Sequence, residues 1–229
     1  MNYIYKNLKK NIAFTLAEVL ITLAIIGIVA EMTIPTLLQN VDTVSMKSGW
    51  KKNYSSLSTI GKQLAYENGG LLVNVFQTQD DLMNAFRGKY KYTKSCLSGS
   101  TLSSGCWHAD NTWYSIAGVQ MAGSGAGFAN NSSIVLLDGT ILSSSLNSSS
   151  CTSTVVPNKN GCGIVYVDVN GYKKPNTVGK DIFVARLLSD GTVIPAGTPG
   201  DANYSSASYC NTTNGKDGWD CSAYYLLNN

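Results

Sequence analysis

Between Phe14 and Leu38 of this 229-residue chain the only charged side chains are Glu18 and Glu31. A carboxylate near the middle of a bilayer costs about 2.5–3.5 kcal/mol, so Glu18 calls for a counter-ion or a route to water. A second concentration of chemistry lies in D-V-N-G-Y-K-K-P-N-T-V-G-K-D, where Asp168, Asn170, Asn176 and Asp181 set oxygen-bearing side chains around tight turns. Calcium takes about six to eight oxygen ligands, some from side chains and some from carbonyls, and this loop has the means to supply several. It lacks the third acidic position and the closing bidentate glutamate of an EF-hand, and Asx turns between strands use the same residues with no metal.

Other candidates have plainer readings. His108 beside Asp110 has the form of a general base and its orienting carboxylate, but no nearby serine or cysteine stands out as a nucleophile, so a surface loop explains it and the chain does not read as an enzyme. Arg87, Lys89, Lys91 and Lys94 alternate with Tyr90 and Tyr92, a pattern that can grip single-stranded DNA by stacking. A lysine-guarded edge strand is the plainer use, and a net charge of +3 gives nucleic-acid binding little support. A-G-S-G-A-G, residues 122–127, lacks the third glycine of a dinucleotide fingerprint and reads as a loop. The six cysteines fall as neighbours, Cys96 with Cys106, Cys151 with Cys162 and Cys210 with Cys221. Local pairing is expected, in an oxidising compartment, each staple contributing about 3 kcal/mol by loop entropy. None has C-x-x-C spacing and His108 is the only histidine, which leaves a structural zinc site little support.

The elements that must position these residues begin with the apolar run. Lys6, Lys9 and Lys10 precede it, and as a helix it measures about 37 Å, enough to cross a hydrocarbon core of about 30 Å. The lysines should stay cytoplasmic, with everything after Leu38 outside. A cleavable secretory signal fits poorly, because the run continues into Glu31, Pro35 and a further helix without a small-residue cleavage site. Trp50, Tyr54, Leu57, Ile60 and Leu64 then recur at helical spacing, and Asn68-Gly69-Gly70 ends the pattern. Pro35, with no amide hydrogen, is expected to loosen or kink the join. A short helix is predicted from Asp80 to Phe86, started by Gln79 or Asp80. Asp138-Gly139 and Asp190-Gly191 each lie between apolar runs as hairpin signals, and G-I-V-Y-V-D-V-N-G is a further strand. The fold class expected is α+β: a long N-terminal helix, apolar first and amphipathic second, the latter covering one face of an antiparallel sheet of four or five strands. Ser/Thr/Gly-rich loops at 95–105 and 143–154 would be tied by the cysteines.

The N-terminal residues resemble the type IV pilins and the pseudopilins of type II secretion. A short basic leader, a small residue at Ala13 and then Phe14-Thr15-Leu16-Ala17-Glu18 look like the prepilin-peptidase signature, with Gly27 and Pro35 where pilins commonly carry glycine and proline. The family usually has glycine where this chain has Ala13. The resemblance implies a leader at 1–13, cleavage after Ala13, N-methylation of Phe14, a membrane or filament-core helix at 14–38 and a head at 39–229. It further implies that Glu18 pairs with the new Phe14 amine of a neighbouring subunit. Such a pair favours one axial offset more than it adds net stability. The segment holding Cys210 and Cys221 looks like the disulfide-bounded region with which many pilins fasten their C-terminus. Some pseudopilins bind calcium in the region of Asp168–Asp181, the one cofactor the resemblance suggests.

Implied partners are other copies or related subunits, prepilin peptidase, and an inner-membrane assembly platform with its ATPase. The implied location is the inner membrane, single-pass with the head outside the cytoplasm, and then a periplasmic or extracellular filament. The functional expectation is therefore a structural subunit of a type IV pilus or secretion pseudopilus. The alternative is a membrane-tethered or filament-tip module binding a surface, a sugar or DNA.

Overall fold

The computed structural model describes residues 14–109, 111–121, 128–156, 159–199, 201, 210 and 217–227. The chain divides into two compact units, Met1–Thr43 and Val44–Asn229, and helix α1, Leu16–Glu67, contributes to both. In the first unit the apolar side chains of α1 stand open among the described residues: Leu20, Leu23, Ile26, Val29, Met32 and Leu37 are all more than half exposed. Its threonines suit an apolar surround because their hydroxyls donate back to the helix, Thr22 to the Val19 carbonyl at 2.9 Å and Thr33 to that of Val29 at 2.8 Å. The helix continues through Pro35. Among the described residues, α1 is the one helix long and apolar enough to cross a membrane, by length and composition.

In the second unit the apolar stripe is buried as its spacing predicts, with Trp50, Leu57, Ile60 and Leu64 all at or below 8 % exposure. Trp50 stacks on Phe183 at 5.1 Å between ring centres and donates from Nε1 to the Ser222 carbonyl at 2.8 Å. Gly61 lies in the same face because the hairpin turn at Gly191 presses on it. A Cβ there would run into the Gly191 carbonyl oxygen and the Val193 side chain. The helix ends at Glu67, where Gly69 and Gly70 take positive φ and the Gly70 amide returns to the Ala65 carbonyl at 2.7 Å. Helix α2, Gln79–Arg87, begins on a capping box in which the Thr78 hydroxyl takes the Asp81 amide at 3.1 Å and the Asp81 carboxylate takes the Thr78 amide at 2.9 Å.

The sheet has seven strands, more than the four or five that patterning predicts. They are β1 Tyr92–Cys96, β2 Ser132–Leu136, β3 Ile141–Leu146, β4 Ser153–Val156, β5 Lys159–Asp168, β6 Ile182–Leu188 and β7 Val193–Pro195. All pairs are antiparallel in the order β1-β2-β3-β5-β6-β7, with β4 paired to the first residues of β5. Both Asp-Gly turns join hairpins, β2 to β3 and β6 to β7. Residues 143–154, expected as a loop, instead contain the end of β3 and the start of β4. Serine is a poor strand former alone, but Ser143 and Ser144 lie between β2 and β5, where the ladder on both sides holds them extended.

A second difference concerns coverage. Ile134, Leu142, Val165, Val167, Phe183 and Leu187 face the core that contains Trp50, while Val135, Ile141, Tyr166 and Ile182 face another formed with Trp107, Trp113 and Phe128. The sheet is thus buried on both faces, the second by long connections rather than by a helix. All three local disulfides form. Cys221 opens helix α3, Cys221–Leu227, whose Ser222 hydroxyl accepts the Val184 amide of β6 at 2.9 Å.

Candidate functional site

Two places carry chemistry, one in each unit. At the start of α1, Thr15 stands outside the helix and Glu18 three residues on. The Glu18 Oε2 accepts both the Thr15 amide, at 2.8 Å, and the Thr15 hydroxyl, at 2.9 Å, while the Glu18 amide donates to Thr15 Oγ1 at 3.2 Å. This is a capping box, and it gives the carboxylate a task inside its own chain: it satisfies donors that the first turn leaves open and stands at the positive end of the helix dipole. Both bonds end on Oε2, and among the described residues none is made to Oε1. T-L-A-E directly before an apolar run carries the signal for this cap, and reading Glu18 for its charge alone passes over Thr15. Phe14 is 81 % exposed. Ala13 lies outside the described residues.

In the second unit the loop between β5 and β6 brings the four oxygen-bearing residues together. Asp168 ends β5 opposite Ile182. Asp181 caps the turn, its two carboxylate oxygens accepting the backbone amides of Asn176 at 2.8 Å and Thr177 at 2.6 Å. Asn170 donates from Nδ2 to the Lys174 carbonyl at 3.3 Å, and Asn176, in the left-handed region at φ 55°, donates from Nδ2 to the Thr112 carbonyl at 3.4 Å. Burial pushes the Asp168 carboxyl up to about 7, opposed by a hydrogen bond to His108 and reinforced by the charge of Asp181. Asp181 is also raised by burial, against the pull of its amide donors.

His108 is not the surface residue that its sequence context predicts. It is 6 % exposed, and its Nε2 meets Asp168 Oδ2 at 2.8 Å, sixty residues away in sequence. Asp110, its expected orienting partner, lies outside the described residues, as does the glycine-rich segment 122–127. Of the basic residues of 87–94, Arg87 ends α2 and reaches Ser95 of β1 at 3.5 Å, Lys89 pairs with Glu67 at 2.5 Å, and Lys94 lies on β1, an edge strand as expected.

A hard cation would need oxygens in this region that are buried and not already hydrogen-bonded. Among the described residues several buried oxygens have no hydrogen-bond partner, and four of them, Asp168 Oδ1, Asn170 Oδ1, Asn176 Oδ1 and Asn111 Oδ1, belong to the β5–β6 loop and the loop that follows His108. Buried oxygens left this way are uncommon and call for water or an ion. No three His, Cys, Asp or Glu side chains of the described residues gather as a metal cage, so the set is one open carboxylate oxygen with amide oxygens, which suits a hard cation. Asn111 carries no local sequence signal and joins the others only through the fold.

The family model for the prokaryotic N-terminal methylation motif matches residues 8–30. Neither a curated protein nor a solved structure matches the chain. Residues 8–30 therefore carry the signature of type IV pilins and pseudopilins, which marks structural pilin-like proteins rather than enzymes.

Proposed function

We propose that this chain is a structural subunit of a type IV pilus or a type II secretion pseudopilus. Prepilin peptidase would cut it after Ala13 and methylate Phe14, and an inner-membrane platform and ATPase would draw it into the filament. The observation that carries the reading is the methylation signature at 8–30 set directly on a helix whose apolar side chains, Leu20, Leu23, Ile26 and Met32 among them, are more than half exposed among the described residues. Bilayer can cover that surface before assembly, and helices of other subunits can cover it afterwards. The capping box suits both states: Oε2 is satisfied within the chain, and Oε1 would take the Phe14 amine of a neighbour.

Mass spectrometry of the protein from its host should find a mature N-terminus at N-methylated Phe14. An intact leader, or a cut elsewhere, removes the basis of this proposal. Deleting the gene and scoring filaments, motility, DNA uptake and exported enzymes then distinguishes pilus, pseudopilus and a tip-borne binding module.

A second reading, that the β5–β6 loop holds calcium, is favoured by the unpartnered oxygens of Asp168, Asn170 and Asn176. Asp181 would set the turn, and the ion would take the Asp168 oxygen that His108 leaves open. Calcium at about 100 times its dissociation constant adds about 2.7 kcal/mol. For a head of this size that raises the melting temperature by about 5–10 °C relative to chelator. Identical melting in calcium and in chelator would count against the site.

A further inference from the structure

The loop carrying His108 and Asn111 lies on the β5–β6 loop along a line of polar contacts. His108 holds Asp168 Oδ2 at 2.8 Å. The Tyr172 hydroxyl donates to the Gly105 carbonyl at 2.5 Å, and the Asn176 side chain donates to the Thr112 carbonyl at 3.4 Å. The backbone continues the seam, with the Tyr114 amide on the Asn176 carbonyl and the Val178 amide on the Tyr114 carbonyl, each at 2.9 Å. The Cys96–Cys106 disulfide ties the beginning of this loop to β1.

Asn111 closes a tight turn that begins at His108. Its φ is 48°, in the left-handed region, its amide donates to the His108 carbonyl at 2.9 Å, and its Oδ1 is buried without a partner. On the facing loop, Asp168 is fully buried with Oδ1 unpartnered, because His108 occupies only Oδ2. Asn176 is 5 % exposed with Oδ1 unpartnered. The open oxygens therefore come from two loops whose closest residues are some sixty positions apart, and the polar seam brings those loops together.

From this arrangement we infer that Asn111 is a cation ligand, and that the ion bridges the two loops rather than residing in the β5–β6 loop alone. The inference rests on the calcium reading and extends it. His108 contributes by occupying Asp168 Oδ2, which leaves Oδ1 as the oxygen that faces the ion. In this way an ion with few acidic ligands gains a donor from a segment that the disulfide already holds in place.

The test is calorimetric titration of calcium into the purified full chain in detergent, comparing wild type with Asp168→Asn, Asn111→Gly and Asn111→Asp. Glycine keeps the left-handed backbone while removing the oxygen, so Asn111→Gly separates ligation from folding. It should weaken binding by about tenfold or more, while Asn111→Asp, which keeps an oxygen and adds charge, should bind at least as tightly as wild type. If Asn111→Gly binds within twofold of wild type, the bridge is wrong and the calcium reading survives. If wild type binds no calcium, or Asp168→Asn binds equally well, the calcium reading itself falls and the bridge with it.

Discussion

Glu18→Gln is expected to leave membrane insertion and leader cleavage intact while reducing incorporation into filaments by about two orders of magnitude. Glutamine at the third helical position still serves a capping box, so its amide oxygen can continue to take the Thr15 amide and hydroxyl and the helix still begins at Leu16. What glutamine lacks is the charge. A methylated amine at Phe14 brought among apolar helices without a carboxylate bears a cost of about 2.5–3.5 kcal/mol, and each 1.4 kcal/mol is about a factor of ten in the assembly equilibrium. Glu18→Ala removes both functions and should also fray the first turn, at roughly 0.5–2 kcal/mol for a lost cap. Comparing the two variants in cells that lack the wild-type gene separates cap from counter-ion. Sheared filaments containing Glu18→Gln at wild-type abundance would reduce Glu18 to a capping residue and end the pairing model.

Trp50→Ala should be the most destabilising single change in the head. The indole is fully buried, lies on Phe183 and bonds the Ser222 carbonyl in α3, so truncation opens a cavity between α1 and β6 and removes a buried hydrogen bond that ties α1 to α3. Losses of about 3–5 kcal/mol accompany such truncations, against a total of about 5–15 kcal/mol for a typical domain. The melting temperature of the processed head should fall by about 6–20 °C. A variant melting within about 2 °C of wild type would mean that α1 is not fastened to the sheet through this residue.

Several features were legible in the residues alone because the interactions that set them are short in sequence. The apolar run and the amphipathic stripe follow from three- and four-residue spacing, and the stop of α1 follows from Asn68-Gly69-Gly70. The two Asp-Gly hairpins need only a tight turn between apolar runs. The disulfides join cysteines 10 or 11 positions apart, where loop closure is easiest. The T-L-A-E cap belongs with these. It is local and readable, and the charge of Glu18 among apolar residues draws attention away from it.

The remainder depended on partners distant in sequence. The lysine-guarded edge strand expected at 87–94 appears as β1, but nothing in S-S-S marks a strand until β2 and β5 supply the ladders. Nothing in C-W-H-A-D says that His108 will leave solvent for Asp168, and Asn111 becomes part of a site only when its loop meets the β5–β6 loop. The N-terminal half of the protein could thus be read as chemistry from its order of residues, because a helix start, an apolar span and a processing signal are each defined within a few turns. The polar cluster in the head could not, because burial withdraws water from groups chosen by topology, and only the folded chain determines which oxygens then lack a partner.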